Sequence, residues 1–261
     1  EKLDALTEQL KTFEKLLPTP LPVTLTVADS AREPAITFVP GDRQERDIAP
    51  GFLSVIDDAP AEITPVGSEL ESTGRRTALA RWIASPDNPL STRVITNRIW
   101  QYHFGSGIVE TASDFGHLGE APSHPELLEW LTSYFIDNGW HFKPLHRLIL
   151  LSATYRQTAF HPDAEVADLI DPRNRLRWRA DVRRLDAEQI RDAALAVSGE
   201  LDRKFGGESA VASGTRRSVY TRLMRNSPDP VLNAFDAADG FNSTAQRDVT
   251  TTPNQALLMI N

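Results

Sequence analysis

The sequence predicts a mostly α (α+β) protein, with a helical main body behind a small β-containing N-terminal leader. Three observations carry that expectation. From Arg75 onward, apolar residues recur at spacings of three and four, the period of a helix face. Short alternating apolar–polar runs fall mainly ahead of Gly74, as half-buried strands require. Helix start and stop residues punctuate the periodic segments at plausible lengths. The resulting organisation is an amphipathic helix and Pro-rich linker over 1–22, the leader over 23–74 and a helical domain over 75–261.

The elements follow in order. Leu3, Leu6, Leu10, Phe13 and Leu17 form a seam that two heptads make too short for a coiled coil, so it is expected to pack onto the main body. Pro18, Pro20 and Pro22 end that helix, since proline lacks the donor a helix interior needs. Val23 to Val27 and Ala35 to Val39 alternate as two short strands around the turn residues Asp29 to Pro34. Pro40-Gly41 and Pro50-Gly51 bracket a charged loop, and polar chain continues to Gly74.

Leu79, Trp82 and Ile83 then share a helix face over about 77–85, and Pro86 stops it. A second helix spans 91–104, with Gly105 as its left-handed terminator. Ser123 and Glu126 form a capping box for a third over 124–137, whose stripe is Leu127, Leu128, Leu131, Tyr134 and Phe135. Pro144 opens a fourth over 144–157. Asp186 and Gln189 cap a fifth over 187–198, with Ile190, Ala193, Ala194 and Val197 inward and Gly199 beyond. Ser218 to Met224 reads as a strand and Asp229 to Phe235 as a short helix. Thr252-Pro253-Asn254-Gln255 caps a last helix with proline at its first position.

Composition bounds the function. The chain has 261 residues, 40% apolar and 25% charged, and a formal net charge of −8. That balance is globular and argues against non-specific nucleic-acid binding, which runs on surplus Lys and Arg. With no cysteine, thiolate metal sites, thiol nucleophiles and covalent haem attachment are excluded within the chain. No run approaches the roughly 18 apolar residues of a membrane span. The first residue is Glu1 and the last six, Ala256 to Asn261, have the character of a helix interior. Both read as a fragment of a longer protein, truncated at its C-terminus.

Several blocks together carry a resemblance. They are Leu79 to Leu90 with its Ser85-Pro86-Asp87-Asn88-Pro89 turn; Asn97-Arg98 with Trp100, Phe104-Gly105 and Gly107; Asp114-Phe115-Gly116 with Ser123 to Leu128; Ser152 to Gln157; Arg184 to Glu188; and Phe235-Asp236-Ala237 with Arg247 and Thr251 to Leu257. From about Gly74 to the end, the chain resembles the Planctomycete-specific domain of unknown function catalogued as family 1553. Pro50-Gly51-Phe52-Leu53 is similar to the family's leader, whereas Arg43-Gln44-Glu45-Arg46 departs from its usual Pro-Gly turn. The resemblance implies a position at the C-terminal end of a long exported bacterial protein. It also implies upstream domains of the same polypeptide as partners, among them an uncharacterised domain (family 1549) and often a haem-c module. Haem c would belong to that neighbour and not to this chain.

Two polar loops could carry chemistry. Asp114, His117, Glu120 and His124 lie within eleven residues, and oxygen and imidazole ligands at that spacing could hold a divalent metal. The alternative is an Asx-type turn at Asp114 and a His124 ring that bonds to backbone at a helix start. His117 falls outside the family pattern that the resemblance implies. Asp114-Phe115-Gly116 mimics a kinase magnesium motif, but no phosphate loop, strand lysine or catalytic-loop HRD accompanies it.

In the second loop Asp236 and Asp239 pair two carboxylates, as glycoside cleavage requires, and Arg247 could fix an anionic or polyhydroxylated ligand through its planar fork. The alternative is turn residues and a structural ion pair. Trp82, Trp100, Trp130, Trp140 and Trp178 could line a sugar-stacking face; core packing is the default for Trp82 and Trp100, which sit on helices with apolar neighbours, whereas Trp130 falls just off the Leu127/Leu131 stripe and is expected to be partly exposed.

Three functions follow. One is a non-catalytic module binding a partner domain or a glycan. Another is a polysaccharide hydrolase or lyase using Asp236, Asp239 and Arg247 beside Asp114 to His124. The third, an electron-transfer accessory to a haem module, rests on analogy. An enzyme predicts that the two loops meet in one concave pocket, and a binding module predicts an exposed aromatic patch.

Overall fold

A computed structural model describes residues 2–14, 26–29, 31, 33, 36–41, 44, 46–64, 72–211 and 213–260. The chain divides into two compact units, Glu1–Trp82 and Ile83–Asn261. Helices make up its regular structure, and no sheet forms among the described residues.

In the first unit α1 spans Lys2–Glu14. Its seam residues Leu3, Leu6, Leu10 and Phe13 are exposed, contrary to the burial expected of them. Leu17 and the prolines that follow it lie outside the described residues, as does most of the first expected strand. The β-containing leader is not supported. Thr26 to Asp29 and Ile36 to Val39 are irregular, and one isolated bridge pairs Gly51 with Pro60. A strand needs a neighbour for its backbone groups, and among the described residues of these two stretches the backbone pairing is one bond, from Ile48 N to Thr37 O (2.8 Å), while Val27 O accepts from the Arg76 side chain.

What ties this unit together is a carboxylate. Asp29 accepts from Thr73 N (2.7 Å), from the Ser72 and Thr73 hydroxyls (3.1 Å each), and pairs with Arg76 (3.1 Å). These contacts sit at the start of α2 (Arg75–Ile83). Trp82 stacks flat on Phe52, with centroids 4.8 Å apart, and its indole N–H reaches Asp57 at 3.1 Å.

The second unit holds α3 (Ser91–Phe104), α4 (Pro125–Asp137), α5 (Phe142–Leu151), α6 (Ala164–Ile170), α7 (Ala187–Ser198), α8 (Pro230–Ala234) and α9 (Pro253–Ile260). The α4 stripe buries Leu128, Leu131 and Phe135 against Ile99 and Trp100 of α3 and Leu145 and Ile149 of α5. Ile108 and Val109, from the loop after α3, complete this core. Each such side chain contributes about 1.5–3 kcal/mol on burial. A smaller core joins Ala187 of α7 to Leu232 and Phe235 around α8.

The expected helix caps do not all form. The Asp186/Gln189 box forms, and so does its Thr252/Gln255 counterpart, with reciprocal bonds of 3.2 and 3.3 Å. The Ser123/Glu126 box does not. There α4 begins after His124, because Ser123 is recruited by Ile108, whose carbonyl accepts both its N–H (2.8 Å) and its hydroxyl (3.2 Å). Helix α5 stops at Leu151 and not at 157, where the Ser152 hydroxyl donates to Ile149 O and accepts from Tyr155 N.

On α7 the inward residues are Ala187, Ile190 and Arg191, while Val197 is exposed. Arg191 is tolerated inside because its guanidinium meets the Arg216 and Gly214 carbonyls and the Ser218 hydroxyl. The expected strand over Ser218 to Met224 is instead a 3-10 turn at Ser218–Tyr220 followed by one bridge from Thr221 to Ala210. Asp192 fixes that turn by accepting both the N–H and the hydroxyl of Ser218 at 2.7 Å. Helix α6, with its exposed Val166, Leu169 and Ile170, had no counterpart in the sequence reading. No helix among the described residues is long and apolar enough to cross a membrane.

Among the described residues Asn97 is the most deeply buried polar side chain, with no exposed surface. Its amide donates to Val109 O (3.0 Å) and accepts from Val109 N (2.8 Å), closing both backbone groups of one core residue. A Cβ on Gly107 would collide with this amide and with the Val109 carbonyl. Asn97→Ala orphans two buried backbone groups, so it is expected to lower the unfolding free energy by about 3 kcal/mol. Chemical denaturation of the variant measures this, and Gly107→Ala is expected to destabilise the same point.

Candidate functional site

The loop after α3 uses its polar residues to shape itself. Gly105, at φ 87°, ends α3 with its N–H on Gln101 O (2.7 Å), and a side chain here would strike Arg183. Further on, Asp114 closes an Asx turn onto Gly116 N (2.8 Å). Thr111 clamps the loop's two ends, donating to Asp114 O (2.7 Å) and accepting from Glu120 N (2.9 Å). His117 and Glu120 are exposed, and the half-buried His124 lies 3.0 Å from the Ser123 hydroxyl through Nδ1. Among the described residues, no three or more His, Asp or Glu side chains gather in a way that could hold a metal ion.

The second loop is anchored more heavily. Asp236 adopts φ 63°, a left-handed conformation that aspartate tolerates when hydrogen bonds hold it. It accepts from Thr250 N (2.9 Å) and Oγ1 (2.8 Å) and pairs with Arg184 (2.6 Å). Arg184 also donates to the Phe235 and Thr250 carbonyls. The Thr250 N–H, then Arg184, then the Thr250 hydroxyl stabilise the Asp236 carboxylate, and its pKa falls from 3.8 to about 2. Asp239 makes a separate Asx turn, accepting from Phe241 N (3.0 Å) and Asn242 N (3.4 Å). The two carboxylates thus have different partners. Arg247 spends both terminal nitrogens on Glu188 of α7 (2.5 and 3.0 Å). Burial alone would raise Glu188, but the Arg247 bonds outweigh it and hold the carboxyl below its ordinary value.

Arg247 lines a cleft of about 590 Å³ between the end of α3 and the 181–186 and 238–249 segments. Asp114, His117, Glu120, His124, Asp236 and Asp239 are not in its walls. Its charged wall residues all have protein partners. Asp181 pairs with Arg177 (2.7 Å), Arg183 donates to the Tyr102 and His103 carbonyls, Arg184 holds Asp236, and Asp186 caps α7. Buried Gln101 ties the far wall in place through Ala245 O (3.1 Å).

Three neutral groups remain. The Tyr102 ring is 75% exposed, and neither its hydroxyl nor the Asn242 and Gln246 side-chain amides have a hydrogen-bond partner among the described residues. Sequence reading missed all three, since nothing local distinguishes an amide facing a cleft from one facing water. Only Tyr102 left a trace, as an aromatic off the buried face of α3.

It also missed the His103–His146 pair, whose Nε2 and Nδ1 lie 2.8 Å apart between α3 and α5. Burial, then His146 and Arg183, push His103 below the usual histidine range.

The model of one protein family, described as PSD1, protein of unknown function (DUF1553), matches residues 75–261. The chain belongs to this family. No curated protein and no solved structure matches it. Every residue of the cleft and of both polar loops lies inside the PSD1 span.

The Asp236 anchor has a signed pH consequence. Its folded-state pKa lies below the unfolded value, so its stabilising effect is present above about pH 4 and is lost as pH falls toward 2. Asp236→Asn is therefore expected to lower stability at neutral pH and to flatten the acid limb between about pH 4 and 2. Thermal melts of both proteins across that range test it.

Proposed function

We propose that this PSD1 chain is a non-catalytic module that binds a neutral saccharide in the Arg247 cleft. The supporting observation is the division of labour in the cleft wall. Its charged side chains are consumed in anchoring the loop, and Tyr102, Asn242 and Gln246 are left to meet a ligand. An exposed ring offers a flat apolar face with a polar tip, and an amide offers two donors and an acceptor. Polyhydroxylated ligands present the complementary set. An anionic ligand would find Arg184 and Arg247 already paired with carboxylates, and Arg183 turned to the Tyr102 and His103 carbonyls.

Catalysis by paired carboxylates is the weaker reading. Glycoside cleavage needs one carboxyl held protonated, with a raised pKa. Among the described residues each carboxyl that departs from its ordinary value, namely Asp29, Glu129, Glu188 and Asp236, moves down. In the proposed role the chain serves one part of a larger exported protein, holding it on a glycan.

Calorimetry of the full 261-residue chain against neutral and uronic-acid oligosaccharides tests this. Neutral ligands are expected to bind, and Tyr102→Ala to weaken them about tenfold, or ~1.4 kcal/mol. No reducing ends should appear on prolonged incubation. Their release, a preference for uronic acids, or binding indifferent to Tyr102→Ala would each overturn the proposal.

A further inference from the structure

A second depression, of about 790 Å³, lies outside this cleft, between α4 and α5. Its floor is apolar, formed by Trp100, Leu127, Leu131 and Leu148, and Trp130 stands on its rim. Trp130 is 53% exposed although large apolar side chains gain most from burial. It stacks on Tyr134 at 5.6 Å between centroids, which presents a continuous aromatic edge. The volume lies in the range that holds a compact ligand or a few side chains, about 300–1,000 Å³.

Charge narrows the occupant. Lys143 and Arg147 line the α5 side and, four residues apart on one helix, share a face. Both are exposed, and neither pairs with a carboxylate among the described residues. Among the described residues no acidic side chain lines the groove, in a chain whose net charge is −8. The nearby Glu129 is already paired with Arg93 (2.5 Å).

Backbone chemistry narrows it further. The groove offers few polar atoms, so an extended peptide would bury N–H and C=O groups without partners. A helix brings its own hydrogen bonds and can lay an apolar face into such a surface, as helix-in-groove recognition does. We infer that the α4–α5 groove docks an amphipathic helix of a partner polypeptide, with apolar anchors against Trp130 and Leu148 and acidic residues along the flank facing Lys143 and Arg147.

The test uses the full 261-residue chain and three synthetic helical peptides of one length. One carries Leu and Phe at i, i+3, i+4 and i+7 with glutamates on the flanks. The second replaces those glutamates with lysines. The third has the first one's composition in scrambled order. Tryptophan fluorescence and fluorescence polarisation report binding, and vesicles of anionic lipid form a separate arm.

The Glu-flanked peptide is expected to bind at least tenfold tighter than either control, and added salt should weaken it. Trp130→Ala should cost at least fivefold. The Lys143→Glu/Arg147→Glu double variant should reverse the preference between Glu- and Lys-flanked peptides. All three positions are exposed or half-exposed, and circular dichroism of each variant confirms its fold. Equal binding of the scrambled peptide, no binding of the Glu-flanked one, or capture by vesicles in place of the peptide would overturn the proposal. Tyr102→Ala leaves this site untouched, so its failure and that of the saccharide reading are separable.

Discussion

The second unit is organised by the need to satisfy the end of α3. A helix leaves its last carbonyls without partners, and a side chain must supply what the next turn would have. Two arginines from one distant segment do so. Arg183 donates to the Tyr102 and His103 carbonyls, and Arg177 to those of Phe104 and Ser106 and to the Ser106 hydroxyl. Their positive charge also sits at the negative end of the helix dipole. To deliver Arg177, the 171–181 segment accepts left-handed backbone at Asn174 (φ 51°) and Arg177 (φ 56°). Each such residue costs on the order of 1–3 kcal/mol unless its surroundings hold it. Here Asp171 accepts from the Arg175 and Leu176 N–H groups, and buried Asn174 reaches Arg179 O and Asp181. The strain is thereby offset locally, and the end of α3 becomes a fixed wall for the cleft.

How much of this the sequence disclosed depends on the range of each interaction. The α3, α4 and α7 spans follow from apolar period and caps within a few residues of one another, so they were legible to within a residue. The caps at Asp186 and Thr252 are equally local. The box at Ser123 failed because a group fifteen residues earlier, the Ile108 carbonyl, competed for the same serine. The leader failed for a related reason. Alternation makes a segment able to form a strand but does not supply the neighbour that completes one. Ties such as Arg247 to Glu188, fifty-nine residues apart, or Gln101 to Ala245, a hundred and forty-four apart, leave no pattern in a single sequence.

The same distinction explains the candidate site. Asp114, Asp236, Asp239 and Arg247 stood out because charged residues in loops suggest chemistry. In the fold each satisfies backbone or an opposite charge, and the energetic reason is general. A loop that must hold one shape needs strong, directional bonds, and charge-assisted bonds are the strongest available to it. The groups best suited to anchoring are then the least available to a ligand. The recognition we propose falls to neutral side chains, Tyr102, Asn242 and Gln246, which gain little from the loop.

The two depressions share α3 as a common element. Trp100 faces the α4–α5 groove, and Tyr102, two residues later, faces the polar cleft. Two residues of α-helix turn the chain by about 200°, so these side chains leave the axis on opposed sides. Gln101 between them is buried and donates to the Ala245 carbonyl. On the readings proposed above, a saccharide at Tyr102 and a helix at Trp130 would occupy separate surfaces. One helix thus presents two unlike faces, apolar toward the groove and polar toward the cleft.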